Sequence, residues 1–230
     1  MRLVAVNDLA DIANLSHLSR YDSTHGRFLG SVEMSSEAAQ KNLIVNGDKI
    51  RVFNERDVRK LPWSELEVDL VMECSGAFKD RETAQLHTAG GASKVLFSQP
   101  AESDVDATLV YGINHETLPP SATIVSNASC TTNCIVPVLK TIDEVFKIES
   151  GVITTIHSAM NDQPVIDSYH DDDLRKTRSA MQSIIPVDTA LAKGIERILP
   201  ELTGLLVARA IRVPTLNVSL MDLTLPLAQS

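Results

Sequence analysis

The sequence is poor in aromatic residues, in basic charge and in long apolar runs. Aromatic residues make up 4% of its 230 residues, and the formal net charge is -9. Because nucleic-acid phosphates are bound by basic surfaces, nucleic acid is not expected as a partner, whereas a small anionic substrate needs only a local basic pocket. No stretch of about 18 consecutive apolar residues occurs, so we expect no membrane-spanning helix and no membrane partner.

Cysteine is also scarce. The chain has three cysteines, Cys74, Cys130 and Cys134, and its N-terminal segment has neither the basic start nor the small-residue cleavage site of a signal peptide. An odd number of cysteines without a secretion signal argues against a disulfide framework and predicts a cytoplasmic protein. The C-x3-C spacing of Cys130 and Cys134 supports neither a zinc site nor a thioredoxin-like pair, so no metal is predicted. We interpret Cys74 and Cys134 as packing residues.

The first half of the chain contains short apolar runs that end in small polar residues. They occupy residues 3–6, 68–72, 94–97 and 123–125. Such runs are typical of buried parallel strands whose carboxyl ends carry function. Because helical spacing lies between some of them, as at residues 80–89, the first half is predicted to be α/β, with an incomplete Rossmann-like, doubly wound parallel sheet.

The pattern changes near residue 150. Residues 151–157 (GVITTIH) and 205–224 are rich in β-branched residues and alternate like antiparallel strands with one solvated face. A polar loop at 158–182 and a helix candidate at 189–199 separate them. We therefore predict a second, α+β part with a mostly antiparallel sheet, and we place the domains at residues 1–129 and 130–230.

The segment SNASCTTNC, residues 126–134, contains the strongest candidate for chemistry. Ser129 or Asn127 can cap a helix that begins near Cys130. A thiol at a helix N-terminus faces the positive end of the dipole and free backbone N–H groups, which favour the thiolate and can stabilise an oxyanion. The alternative is a buried, inert cysteine, which is the commoner fate of such residues. The polar surroundings favour a nucleophile, and the hydroxyls of Ser129 and Thr131 flank it.

Three further side chains could act with this thiol. His157 ends a predicted strand and is either a hydrogen-bonded structural residue or the base that takes the thiol proton. Arg212 lies in an otherwise apolar strand pattern, where it either faces solvent or an interface or binds a substrate phosphate with its planar guanidinium. Lys176 belongs to the basic cluster DLRKTR.

Polar residues at the ends of the apolar runs are candidates for binding a dinucleotide. Asp8 follows the first run, where an acid can accept hydrogen bonds from an adenosine ribose, although aspartate at a strand end is also a common helix cap. Ser75, Gly76 and Ser98 follow later runs and could line the crevice at the carboxyl edge. The sequence has no G-x-G-x-x-G turn.

Taken together, these segments resemble the glyceraldehyde-3-phosphate dehydrogenase superfamily over nearly the whole chain. The resemblance is carried by SNASCTTNC, by TTIHS, by the loop through NDQPVIDSYH and DLRKTRSA, and by RVPTLNVSLMDL. The ASCTTNC signature is highly specific. Within the superfamily the chain is most similar to the erythrose-4-phosphate dehydrogenases, on the evidence of HSAM at 157–160, SIIPVDT at 183–189, YDSTHGRF at 21–28 and LPWSEL at 61–66.

The resemblance implies NAD as cofactor and a phosphorylated aldehyde as substrate. Cys130 would attack the aldehyde, a hydride would pass to NAD, and His157 would assist the proton transfers around the resulting thioester. Phosphate then attacks the thioester in the glycolytic enzyme; water attacks in the erythrose-4-phosphate enzyme, giving 4-phosphoerythronate for pyridoxal phosphate synthesis. The resemblance further implies a partial NAD-binding domain at 1–129, a partial catalytic domain at 130–230, and a homotetramer when the full fold is present.

The resemblance also implies roles for individual residues. Substrate contacts fall on Ser129 and Thr131, and phosphate-binding positions fall on Lys176, Thr189, Ala190 and Arg212; Asp8 and Arg56 match NAD contacts. Three departures matter. Met160 stands where the glycolytic pattern has Thr, and Ala190 where it has Gly, which favours erythrose 4-phosphate over glyceraldehyde 3-phosphate. Lys176 replaces the usual Arg, which exchanges a bidentate fork for a point charge.

Three alternatives stay open at this point. The first is a phosphorylating glyceraldehyde-3-phosphate dehydrogenase. The second is a truncated product with impaired NAD binding and no activity, because the family's first strand and its turn N-G-F-G-R-I-G-R are not found in the sequence and the family pattern continues beyond Ser230. The third is a hydrolase that uses Cys130 and His157 without a cofactor.

Overall fold

The computed structural model describes residues 1–37 and 40–229. The chain divides into two compact units, Met1–Leu96 and Phe97–Ser230. Within the described residues, no helix combines the length and apolar character that crossing a membrane requires.

Four α-helices and fourteen strands make up the described chain. The helices are α1 (Ile12–Arg20), α2 (Arg81–Ala89), α3 (Cys130–Phe146) and α4 (Leu191–Ile198). Short 3-10 helices lie at Val58–Lys60, His115–Thr117, Leu174–Thr177 and Pro200–Leu202. The strands are β1 (Ala5–Asn7), β2 (Tyr21–Asp22), β3 (Gly26–Arg27), β4 (Val32–Glu37), β5 (Gln40–Val45), β6 (Asp48–Phe53), β7 (Leu70–Glu73), β8 (Lys94–Phe97), β9 (Ala107–Thr108), β10 (Ile124–Ser126), β11 (Gly151–His157), β12 (Ile185–Val187), β13 (Leu206–Arg212) and β14 (Leu220–Thr224).

In the first unit, one sheet has the order β1-β6-β5-β4. Strands β1 and β6 run parallel, with Asn7 opposite Phe53, so their carboxyl ends meet at one edge. Strands β4, β5 and β6 form an antiparallel meander. The sheet buries Val32, Leu43, Ile50 and Val52, and α1 packs Ile12 and Leu15 against them.

Strands β7 and β8 are neighbours in another sheet of the fold. A buried hydrogen-bonded chain fixes the end of β7: the indole N–H of Trp63 donates to His87 Nδ1 (3.0 Å), and His87 Nε2 lies 3.3 Å from Glu73 Oε2. Since the indole can only donate, the His87 proton sits on Nε2 and points at Glu73. Burial raises the pKa of Glu73, but hydrogen bonds from His87 and Ser75 outweigh it and hold that pKa below its usual value.

The second unit is built around a sheet of order β12-β13-β11-β14. Strand β11 is parallel to β13 and antiparallel to β14, while β12 is antiparallel to β13. Helices α3 and α4 contribute to the core beside Ile153 of β11; their buried core side chains include Ile135, Val136, Leu139 and Ile195. Strands β9 and β10 pair in parallel.

The structure confirms the predicted fold class, an α/β part with parallel strands followed by an α+β part with a mostly antiparallel sheet. One local expectation is wrong, and one part of the fold was not predicted. Residues 151–157 and the strand that begins at Leu206 pair in parallel rather than antiparallel fashion, because the intervening segment with α4 is long enough to return the chain to the same end of the sheet. The antiparallel meander of residues 32–53 was not foreseen, because its strands VEMSSE, QKNLIV and DKIRVF contain many polar residues and no long apolar run.

Candidate active site

Cys130 is the first residue of α3 and its side chain is exposed. Ser129 is the N-cap, with extended backbone, and its Oγ accepts a hydrogen bond from the Thr132 N–H at 3.0 Å. The thiol therefore stands beside backbone N–H groups of the first turn, which have no acceptor within the helix. The predicted cap at Ser129, rather than Asn127, is the one that the structure has.

The loop before the thiol is held by side-chain hydrogen bonds. Asn133 Nδ2 donates to the carbonyls of Asn127 (2.7 Å) and Ser129 (2.9 Å). Ser126 Oγ donates to the Gln99 carbonyl at 2.7 Å and accepts from the Ala128 N–H at 3.1 Å. Ala128 has φ +57°, a left-handed conformation that is unfavourable for a residue with a Cβ. These bonds hold that conformation and so fix where Cys130 begins the helix.

His157 is the last residue of β11, and its Nε2 lies 4.0 Å from Cys130 Sγ. Its Nδ1 lies 2.8 Å from the Ser158 carbonyl oxygen. A carbonyl can only accept, so in the neutral ring the proton sits on Nδ1 and the lone pair of Nε2 faces the thiol. The sulfur–nitrogen distance is at the outer limit of a hydrogen bond to sulfur, and the ring is oriented to take the thiol proton.

A cluster of hydroxyls surrounds the cap. Ser129 Oγ lies 3.0 Å from Thr131 Oγ1 and 2.6 Å from Thr132 Oγ1. Helix α4 approaches this cluster closely at Gly194, where a Cβ would lie 2.9 Å from Thr132 Oγ1. The absence of a side chain at Gly194 is thus what allows α4 to pack against the first turn of α3.

Arg212 and Lys176 share one carboxylate, that of Asp162. Arg212 Nη1 lies 2.5 Å from Asp162 Oδ1, and Lys176 Nζ lies 3.0 Å from Asp162 Oδ2. Arg212 is 8% exposed and also donates to Gln163 Oε1 at 3.3 Å. Burial raises the pKa of Asp162, but the hydrogen bonds from Arg212 and Lys176 outweigh it and lower that pKa to about 2. The cluster therefore has two cations against one carboxylate.

The start of α4 holds the two remaining substrate candidates, Thr189 and Ala190, both exposed. Thr189 Oγ1 accepts from the Leu191 N–H at 3.2 Å. Ala190 is the N-cap of α4 and supplies no side-chain cap.

In the first unit, Asp8 and Arg56 follow β1 and β6, whose carboxyl ends meet at the same edge. Asp8 is exposed; its Oδ1 accepts from the Ala10 N–H at 2.8 Å. The carboxylate can thus still offer its other oxygen to a ribose hydroxyl. Arg56 is also exposed and lies next to Glu55, whose backbone pairs with the Asn7 amide through two hydrogen bonds of 2.9 Å. Both residues are therefore accessible at this edge of the sheet.

The remaining cofactor candidates lie at strand ends. Ser75 and Gly76 follow β7; the Ser75 N–H donates to Glu73 Oε1 at 2.7 Å, and Gly76 has φ +75°. Both residues are exposed. They lie in a turn that is held by the buried hydrogen bonds among Trp63, His87 and Glu73. Ser98, also exposed, follows β8 in the second unit.

The structure corrects two interpretations. Cys74 and Cys134 are exposed rather than packed; Cys134 lies one turn after Cys130 on the same open face of α3. Arg212 does not face solvent, because it is buried against Asp162 and Gln163. Asp162 itself was missed, because its partners Lys176 and Arg212 lie 14 and 50 positions later in the sequence.

Two family models match the chain. Residues 1–81 match the model described as "Glyceraldehyde 3-phosphate dehydrogenase, NAD binding domain", and residues 129–230 match "Glyceraldehyde 3-phosphate dehydrogenase, C-terminal domain". The matches cover about four fifths of the chain. The first contains Asp8, Arg56, Ser75 and Gly76, and the second contains Cys130 and His157.

Proposed function

Because the chain belongs to the glyceraldehyde 3-phosphate dehydrogenase family, with its NAD-binding and catalytic domains, we propose that it oxidises D-erythrose 4-phosphate to 4-phosphoerythronate, a product that feeds pyridoxal phosphate synthesis. The coarser function, an NAD-dependent dehydrogenase of phosphorylated aldehydes, follows from the two domains. The observation that carries the proposal is the pairing of an exposed thiol at a helix N-terminus with a histidine whose Nε2 is 4.0 Å away.

The side chains support the following proton and bond changes. His157 Nε2 takes the Cys130 proton, and the thiolate attacks the aldehyde carbon, forming a C–S bond and an oxyanion. N–H groups of the first turn of α3 donate to that oxyanion. NAD, when bound, supplies the acceptor for the hydride that leaves this carbon, so that a thioester remains on Cys130. After the imidazolium has released its proton, His157 assists water in attacking the thioester, and the carboxylic acid and the thiol are released.

A phosphorylated substrate suits the cluster around Asp162. Arg212 and Lys176 together exceed the carboxylate by one positive charge, and a planar guanidinium matches the geometry of a phosphate. Arg212 is the strand partner of His157. This strand pairing supports a phosphate-binding role for the cluster beside the proposed base.

The preference for erythrose 4-phosphate rests on two side chains. Met160, 45% exposed, and Ala190, exposed at the start of α4, stand where the glycolytic pattern has a hydroxyl and a glycine. Met160 lacks the hydroxyl that could donate to an incoming inorganic phosphate, and Ala190 adds a methyl group where glycine leaves space, so water is the favoured attacking group.

The proposal is tested by the turnover of both aldehydes, each with and without inorganic phosphate. We expect erythrose 4-phosphate without phosphate to be the better substrate, and we expect Met160→Thr combined with Ala190→Gly to raise phosphate-dependent turnover of glyceraldehyde 3-phosphate. If the unsubstituted chain already prefers glyceraldehyde 3-phosphate with phosphate, the glycolytic alternative is correct.

We also propose that the chain assembles as a homotetramer. The loop that follows β11 exposes Val165, Ile166 and Tyr169 by 73%, 77% and 85%, and exposed apolar side chains close together are typical of protein contacts. Light scattering coupled to size-exclusion chromatography measures the assembly; a monomer at all concentrations would contradict it.

A further inference from the structure

Asn54, directly after β6, bridges two carbonyls of the loop that carries Asp8. Its Nδ2 donates to the Asp8 carbonyl at 2.8 Å and to the Ala10 carbonyl at 2.5 Å. One exposed amide thus uses both of its N–H groups on the same three-residue turn. The turn is not part of a helix or strand, so these bonds supply order that secondary structure does not.

The direction of the Asn54 amide is fixed by a lysine. Lys41 Nζ of β5 donates to Asn54 Oδ1 at 3.0 Å. An ammonium group can only donate, so the amide oxygen must face Lys41 and the NH2 group must face the two carbonyls. The orientation of Asn54 is therefore determined by its partners on both sides.

The turn that Asn54 holds sets the direction of the Asp8 carboxylate. Asp8 Oδ1 accepts from the Ala10 N–H at 2.8 Å, and the Asp8 N–H donates to the Phe53 carbonyl at 3.1 Å. The carboxylate is oriented by the position of Ala10, and the backbone of both residues is held by Asn54. If the Asn54 bonds were lost, Ala10 could move away and the carboxylate could rotate into solvent.

We propose that Asn54 is a positioning residue that orients the Asp8 carboxylate toward a ribose diol, and that it thereby controls how strongly the chain discriminates against a 2′-phosphorylated nicotinamide dinucleotide. The inference rests on the proposed use of NAD and adds a residue that does not itself touch the cofactor. A fixed carboxylate both accepts from the diol and repels a 2′-phosphate. A freely rotating carboxylate binds the diol less tightly and repels the 2′-phosphate less strongly.

The test compares the dissociation constants of NAD and NADP by titration calorimetry on the purified chain and its variants. Asn54→Leu keeps the approximate shape but removes both donors. Asn14→Leu is the matched control, since Asn14 is an exposed asparagine nearby whose amide bonds Asp11 and neither of the two carbonyls. Asn54→Ser, which is smaller and polar, serves if the leucine variant does not fold, and circular dichroism checks each protein.

We expect NAD to bind the unsubstituted chain more tightly than NADP, and the ratio of the two constants to fall about fivefold in the Asn54 variants but not in Asn14→Leu. A purely structural role would weaken both ligands equally and leave the ratio unchanged. An unchanged ratio in folded Asn54 variants that still bind NAD contradicts this inference alone. Failure of the unsubstituted chain to bind NAD contradicts the proposed function, and the inference with it.

Discussion

His157 and Arg212 are partners in the register of two parallel strands, β11 and β13. The residues that carry the proposed base and the proposed phosphate-binding guanidinium therefore lie side by side at the carboxyl ends of two neighbouring strands. Their separation is set by strand pairing, which is rigid, rather than by the conformation of a loop. The substrate's two ends would thus be held by adjacent positions of the same framework.

Arg212→Lys tests the guanidinium at this edge. Lysine keeps the charge but replaces the bidentate fork by a point charge, so we expect KM for the phosphorylated aldehyde to rise about tenfold with a smaller change in kcat. Arg209→Lys, at an exposed position of the same strand, is the control and should change neither constant. An unchanged KM in Arg212→Lys would remove Arg212 from the substrate site.

His157→Gln tests the base. Glutamine can keep a polar side chain at the end of β11 but cannot take the thiol proton at neutral pH, so we expect kcat to fall by a factor of about 10² to 10⁴. Alkylation of Cys130 by iodoacetamide should slow in the same variant, because less of the thiol is activated. Equal alkylation rates in the two proteins would show that His157 does not assist the thiol.

The lowered pKa of Asp162 predicts that the folded chain loses stability at acid pH. Its pKa lies at about 2 in the folded chain against an ordinary value of 3.8, so its stabilising contribution is complete above about pH 4 and is lost as the pH falls toward 2. Urea unfolding of the unsubstituted chain and of Asp162→Asn at several pH values measures this. The difference in unfolding free energy between them should shrink over that window; a difference independent of pH would contradict the ionised pair.

Gly194→Ala tests the approach of α4 to α3. Alanine in place of glycine stabilises a helix interior by about 1 kcal/mol, but here the new Cβ would meet the buried Thr132 hydroxyl at 2.9 Å. Thr132 is 2% exposed and contacts Ser129 Oγ. A displacement of Thr132 would therefore also move Ser129, the N-cap residue next to Cys130. We expect lower thermal stability and lower kcat, whereas Lys193→Ala, in the same helix, should affect neither. A stabilised, fully active Gly194→Ala protein would contradict this packing.

The sequence predicted those features of the site that depend on local pattern. The Ser129 cap, the start of α3 and the polar ends of β7 and β8 follow from residue types within a few positions of one another. The pairing of Asp162 with Arg212, 50 positions apart, and the parallel register of β11 with β13 depend on the tertiary fold and leave no local signal. Asn54 was missed for the same reason, since the two carbonyls that its amide N–H groups bind lie more than 40 positions earlier.

The central claim is that Cys130, and not Cys134, which is also exposed, forms the thioester. The most direct measurement is mass spectrometry with peptide mapping of protein that is quenched during turnover with erythrose 4-phosphate and NAD. The unsubstituted chain, Cys130→Ala and Cys134→Ala are each treated in this way. We predict a phosphoerythronyl adduct that disappears, with all turnover, in Cys130→Ala and persists in Cys134→Ala. An adduct that survives the loss of Cys130, or equal loss of turnover in the two variants, would contradict the claim.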